Sequence, residues 1–514
     1  MLPLVRAGHA RLPPKSFSST LNSYRSKICN GNLGFFSKNL RKVSIIMSSK
    51  IPKSIHYIIG NEAAERFSYY GLRAILTVYL ATHFFNPTND PLLQQAAEAR
   101  ANEATHLFIM LNYLMPILGA LAADWFFGKY RIIKWLSFMY CIGNFMMAMF
   151  TDNYSLFMSG LVLIAIGSGG IKPCVSANVG DQFTASNKHL MGKAFSWFYL
   201  SINFGSFFST LLIPYLLTAY GPKVAFGIPG ILMLLATLIF IMGRKKYIRV
   251  PPAGFPKDNF ISINWYVLRR IGQIRRGKKA IDIARDKYSE QAVNAIVSVW
   301  KVLLLFSFVP VYWMLSDQST SEWVLQATKL DLHFLGITLL PQQVQAANPV
   351  FILILTPLFS SVLYPFLQRI GFDFSVHRKI ITGFLLLILS FVIIYYLQSE
   401  IDQHRAPSVG WQLLSYFLLT VAEILVYLTG LEYAYAQAPA SMKSTMMSFW
   451  LLTISLGNYF VSLINRNIAD DGFLRNLSGA SYYGFFIALM SVVTIAFVIV
   501  YHKNIIPENH LQTR

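Results

Sequence analysis

Apolar stretches of about 20 residues, separated by short polar or basic segments, recur along the chain from residue 51 to residue 503. The pattern predicts about twelve membrane-spanning helices, near 55–83, 104–127, 131–151, 154–178, 193–219, 224–243, 294–317, 347–368, 379–398, 411–437, 444–466 and 480–502. They fall six and six around a basic stretch. The expected class is therefore an all-α polytopic membrane protein: an N-terminal six-helix bundle over 51–243, a linker over 244–293, a C-terminal six-helix bundle over 294–503 and a tail over 504–514.

The first predicted span breaks the apolar pattern. Glu62, Glu65, Arg66, Tyr69 and Arg73 follow at i, i+3, i+4, i+7 and i+11, which stacks them on one helical face. A charged side chain at membrane depth costs roughly 2.5–3.5 kcal/mol on insertion scales, so such a stripe faces a wet interior rather than lipid.

Composition supports the membrane reading. Of 514 residues, 54% are hydrophobic and only 13% charged, about half the charge of an ordinary soluble domain. The net charge of +21 does not point to nucleic acid, because the basic residues collect in alternate loops. Lys129, Arg131, Lys134, Lys188, Lys193, Arg369, Arg378 and Lys379 lie on one side, with thirteen Lys/Arg between Arg244 and Lys287. The opposite loops hold only Arg100, Lys223, Lys329, Arg405, Arg466 and Arg475. The asymmetry predicts cytoplasmic termini. Cys29, Cys141 and Cys174 are too few and too scattered for a disulfide framework or a metal site. Residues 1–50 carry nine Lys/Arg and no acid, the composition of an organelle transit peptide. Met47 offers an alternative start that makes the segment a dispensable leader, and a basic cytoplasmic tail is a further reading. The plasma membrane is the expected location, or an organelle membrane if the leader is genuine.

Two six-span halves around one path are the major facilitator arrangement, with a midplane site and access that alternates by rocking. Gly119-Ala-Leu-Ala-Ala-Asp124-Trp-Phe-Phe-Gly128-Lys129-Tyr-Arg131 matches its loop between spans 2 and 3, where Gly119 permits close helix approach and Asp124 is placed to cap a helix. In span 4, Gly167-Ser-Gly-Gly-Ile-Lys172-Pro173-Cys-Val-Ser176 sets a lysine before a helix-disrupting proline, and that lysine needs a partner. Asn203 in span 5, Asn348 and Pro349 opening span 8, Trp313 and Asp317 in span 7, and Trp450 in span 11 add polar and aromatic groups. Each alone is more often a packing residue. Glu423 lies in mid-span 10, whereas Glu432 lies toward its end.

Together, Glu62-x-x-Glu65-Arg66-Phe-x-Tyr-Tyr70-Gly71, Gly-Gly-Ile-Lys172-Pro-Cys, Phe-Tyr-x-x-Ile-Asn203-x-Gly-Ser and Thr-Gly-Leu-Glu-Tyr-x-Tyr-x-Gln-Ala-Pro-x-x-Met-Lys-Ser resemble the signatures of the proton-dependent oligopeptide transporter family over about residues 51–503. The resemblance implies that Glu62, Glu65 and Arg66 form a proton-coupling group with Lys172, that Arg73 and Lys172 face a peptide carboxylate, and that Glu423, with Asn203 and Asn348, receives the peptide amino group. It further implies that Tyr69, Tyr70, Tyr113, Trp313 and Trp450 shape side-chain pockets. An outer gate would join Arg73 to Asp317, and an inner coupling Lys172 to Glu423. His106 aligns with a span-2 histidine of mammalian intestinal relatives; proton binding and a plain bond to a neighbouring helix are equal readings of it. Those relatives carry a large extracellular domain between spans 9 and 10, where this chain has the short loop Ser399–Gly410.

The expected function is proton-coupled symport of di- and tripeptides by a monomer in the lipid bilayer, driven by the proton gradient without a cofactor. Rivals are a same-fold carrier of nitrate or another substrate, a non-transporting peptide sensor, and a membrane-embedded acyltransferase. The last lacks a histidine cluster in any span, so no enzyme is expected.

Overall fold

The computed structural model describes residues 51–503, apart from 89, 92, 185–186, 253, 255–257, 274–279, 372–373 and 438–441. The leader, the tail and the linker's Arg275, Arg276, Lys278 and Lys279 lie outside the described residues. Span 1 is Ser54–Tyr79, span 2 Gln94–Ala122, span 3 Lys129–Met149, span 4 Tyr154–Asp181, span 5 Met191–Tyr220 and span 6 Pro222–Met242. After the linker come a broken span 7 (Glu290–Phe306 and Val309–Ser316), span 8 (Ala347–Leu358, continued by Tyr364–Arg369), span 9 (Val376–Asp402), span 10 (Val409–Glu423, continued by Thr429–Gln437), span 11 (Lys443–Ala469) and span 12 (Ala480–His502).

Among the described residues ten helices are long and apolar enough to cross a bilayer, and span 7, bent by 41° at its break, adds an eleventh. Span 1 is the twelfth. Its own Glu62, Glu65, Arg66 and Arg73 dilute its apolar character. Pro310 stands just after the break in span 7, where the missing backbone N–H cannot continue the ladder. Span 2 begins ten residues earlier than its apolar stretch, because the polar turns from Gln94 to Glu103 are helical too.

Apolar side chains gather into two cores. Tyr69, Ile109, Phe157, Ile171 and Phe226 belong to the one built from spans 1 to 6. Trp313, Phe384, Phe391, Trp450 and Phe486 belong to the one built from spans 7 to 12. Small residues let helices meet within the first half. A Cβ added to Gly119 in span 2 would lie 2.7 Å from the Gly169 carbonyl oxygen and 2.7 Å from Gly170 Cα in span 4. Gly119→Val should therefore cost about 1–3 kcal/mol through overpacking and lower the thermal midpoint of the purified protein. At Gly60 an added Cβ meets nothing within 4 Å, so Gly60→Ala should leave the midpoint unchanged or raised. Equal midpoints for Gly119→Val and the parent would contradict this packing.

Three local expectations differ from the structure. Asp124 does not cap span 3: that helix starts from Gly128, whose φ of 77° favours glycine, with no side-chain cap. The composition of the linker's end predicts a helical tail over 278–292; its first two residues lie outside the described residues, and beyond them Ala280–Asp286 form a 3-10 turn before span 7, which Ser289 caps by accepting the Ala292 N–H. The linker also contains a helix the apolar pattern did not single out, Phe260–Arg269. On the face opposite the linker, His333–Phe334 and Ile337–Thr338 form a small antiparallel hairpin.

Candidate functional site

The span 1 stripe is a buried ion cluster. Arg66 Nε lies 3.1 Å from Glu62 Oε1, one helical turn earlier, and a guanidinium nitrogen contacts Glu65 Oε2. Ser168 of span 4 donates its hydroxyl to Glu65 Oε1 at 2.8 Å. Glu65 has no exposed surface and Arg66 is 7% exposed. Span 5 reaches this face because Gly205 lies where a Cβ would come within 2.8 Å of the Ala63 carbonyl oxygen.

Lys172 does not join that cluster by an ion pair. Its ammonium sits over the Tyr69 ring at 4.2 Å and the Tyr113 ring at 4.9 Å, and its Nζ, although buried, makes no hydrogen bond among the described residues. Cation–π contact stabilises a desolvated ammonium by up to about 2 kcal/mol, yet leaves all three N–H donors available.

Toward the end of span 1, Arg73 meets Asp317 of span 7 at 2.6 Å. The other carboxylate oxygen of Asp317 accepts from Asn458 Nδ2 of span 11 at 2.7 Å. Asn458 Oδ1 lies 2.7 Å from His106 Nδ1, and His106 Nε2 lies 2.9 Å from Ser321 Oγ. Since the Asn458 amide nitrogen already donates to Asp317, its oxygen is the acceptor and His106 Nδ1 carries a hydrogen. A neutral imidazole then accepts the Ser321 hydroxyl at Nε2, and a protonated one donates to it. His106 is thus bonded to neighbouring helices and connected to the gate pair through one carboxamide.

A second layer of inter-half contacts lies farther out. Lys329 Nζ meets Glu98 Oε1 at 2.9 Å, Arg100 meets Asp470 at 3.4 Å, and Asn102 donates to Glu322. Burial opposes the Lys329 charge, but the neighbouring Glu98 carboxylate outweighs it and holds the ammonium pKa above its ordinary value. These pairs lie on the side opposite the linker, which is the closed side of this conformation.

In the C-terminal half, Asn348 Nδ2 donates to Glu423 Oε2 at 3.0 Å and to Thr420 Oγ1 at 3.1 Å. Glu423 is the last residue before a π-helical turn, Ile424–Leu428, a distortion that recurs at functional sites. With Ile352, Thr356, Tyr427 and Leu428 it lines a pocket. Trp313 and Trp450 flank Tyr427, each with its ring centroid 5.8 Å away. Tyr69 and Tyr70 pack edge to face at 5.2 Å. Asn203 spends an amide hydrogen on its own helix, donating to the Tyr199 carbonyl at 2.9 Å.

The structure therefore brings together Arg73 with Asp317, the two glutamates with Arg66, and Glu423 with Asn348. It does not pair Lys172 with Glu423. Asn458, Ser321, Ser168 and Tyr427 were not singled out from the sequence. For Asn458 a signal existed, a carboxamide after Gly457 in the middle of apolar span 11.

Two six-helix bundles with a charged, partly unpaired path between them define a carrier fold of the major facilitator kind. The profile of the POT family matches residues 130–472. A crystal structure of the POT family transporter PepTSo superposes with a TM-score of 0.81 at 37% identity, covering 88% of this chain and 98% of that one. The crystal structure of an auto-inhibited POT family peptide transporter gives 0.80 at 35%, covering 89% and 98%. Solute carrier family 15 member 2 of Oryctolagus cuniculus is 35% identical over 403 residues, 75% of this chain and 54% of that protein. Solute carrier family 15 member 1 of Homo sapiens is 36% identical over 385 residues, 68% and 52%. The chain spans about half the length of these two curated relatives. It belongs to the POT family.

Proposed function

We propose that the chain is a monomeric proton-coupled symporter that takes up di- and tripeptides by alternating access, with both termini and the linker cytoplasmic, in the plasma membrane. One observation carries this reading: among the described residues Lys172 in the first half keeps its donors free and Glu423 in the second half is held by neutral partners, so the path has a positive and a negative pole on opposite halves. A zwitterionic peptide fits between them by its termini, which every dipeptide shares, and drawing the poles together draws the halves together. Proton binding at Glu65 or Glu62 would weaken their hold on Arg66 and bias the two-state equilibrium. Arg73–Asp317 and the layer outside it would open when the site faces outward, and the Lys172–Glu423 coupling would form then. No cofactor is needed, since the gradient supplies the work.

The test is uptake of a labelled dipeptide by proteoliposomes under an inward acid gradient. Accumulation that an uncoupler abolishes and unlabelled di- and tripeptides compete supports the proposal. No flux in folded protein that still binds peptide points to a sensor, and flux of nitrate without peptide competition to a divergent carrier.

A further inference from the structure

The linker helix Phe260–Arg269 carries two apolar stripes. Ile263 and Val267 are buried and belong to the C-terminal core. Ile261, Trp265 and Leu268, at i, i+4 and i+7 on another face, are 60%, 51% and 56% exposed, and Ile271 just beyond is also exposed. Water does not favour such a stripe. The helix is nonetheless firmly placed. Asn259 caps it through the Ser262 N–H at 2.7 Å. Phe260 packs 4.9 Å from Phe449 of span 11 and 5.8 Å from Trp300 of span 7, and the Trp300 indole donates to Asn264 Oδ1 at 3.1 Å.

Two features identify what covers the stripe. Trp300, in the first half of span 7, is itself 53% exposed, and tryptophans concentrate at membrane–water boundaries. The linker helix touches this residue, so its exposed stripe continues the lipid-facing surface at its rim. The charge pattern agrees. No Asp or Glu occurs from 260 to 273, and the exposed Arg269 and Arg270 end the helix, their guanidiniums over Trp265 at 4.9 Å and Tyr266 at 4.4 Å.

We propose that this helix is an interfacial lipid anchor, with Ile261, Trp265 and Leu268 at the headgroup–acyl boundary and Arg269 and Arg270 holding anionic headgroups of the leaflet on the linker's side. The segment that joins the two halves is thereby tied to the charge of that leaflet. The inference needs only that the chain lies in a bilayer and stands apart from the identity of the substrate.

The test uses the full chain with Cys29→Ser and Leu268→Cys, a nitroxide on the new thiol, in vesicles of phosphatidylcholine with or without phosphatidylserine; Cys141 and Cys174 are buried. With phosphatidylserine the nitroxide should be shielded from a water-soluble nickel chelate and accessible to oxygen. Each of Arg269→Gln and Arg270→Gln should lower the docked-to-undocked ratio about five-fold. In protein with no label, brominated lipids should quench a fluorescence component that Trp265→Phe removes. Nickel access in both vesicle types overturns the proposal, as does shielding that ignores both phosphatidylserine and the arginines.

Discussion

Lys172→Gln is expected to fold and to lose peptide binding. Among the described residues the lysine makes no ion pair and no hydrogen bond that a glutamine would orphan; there it gives up contact with the Tyr69 and Tyr113 rings, worth at most about 2 kcal/mol and offset by the desolvation relieved. A peptide carboxylate would lose its charge-assisted partner in a buried site, a loss of about 2–5 kcal/mol, or roughly thirty-fold to several-thousand-fold in affinity. Calorimetric titration with a dipeptide beside a thermal melt separates the two effects. Native affinity in a stable variant would remove Lys172 from the substrate site.

Glu65→Gln should abolish uphill uptake while preserving exchange. The amide keeps the side chain's length and can still accept the Ser168 hydroxyl at its oxygen, and Arg66 retains Glu62 at 3.1 Å. The titratable charge goes, and with it the Arg66 contact at Oε2. One charge moved through 100 mV supplies about 2.3 kcal/mol, which corresponds to roughly fifty-fold accumulation. Proteoliposomes bearing the variant should show labelled-for-unlabelled exchange and no concentration above equilibrium. Undiminished accumulation would assign coupling elsewhere, with His106 the next group to replace because it is linked to the gate through Asn458.

The span 1 stripe was legible in the sequence because charges at helical spacing inside an apolar stretch have few physical explanations. Glu423 was legible for the same reason. The Arg73–Asp317–Asn458–His106 chain was not, since it depends on spans 1, 2, 7 and 11 meeting, with His106 and Asn458 separated by 352 positions. The resemblance supplied the first link and left the carboxamide out. Lys172 was expected to partner the glutamates; it lies within their electrostatic reach but forms no ion pair among the described residues, its ammonium resting over aromatic rings, a choice that spacing does not encode. The helix Phe260–Arg269 was hidden in a segment read for its charge, and its apolar period is only ten residues long. Asp124 was a fair cap by residue type. The positive φ of Gly128 sets the entry angle of span 3 without it.

The four charges of span 1 bear on how the chain reaches the membrane at all. At roughly 2.5–3.5 kcal/mol each near a helix centre, they make span 1 a poor candidate to leave the ribosome-bound translocon by itself. The partners that neutralise or shelter it arrive later in synthesis: Ser168 in span 4, Gly205 in span 5 and Asp317 in span 7. Stable seating of span 1 in the bilayer is therefore expected to await the emergence of those later segments.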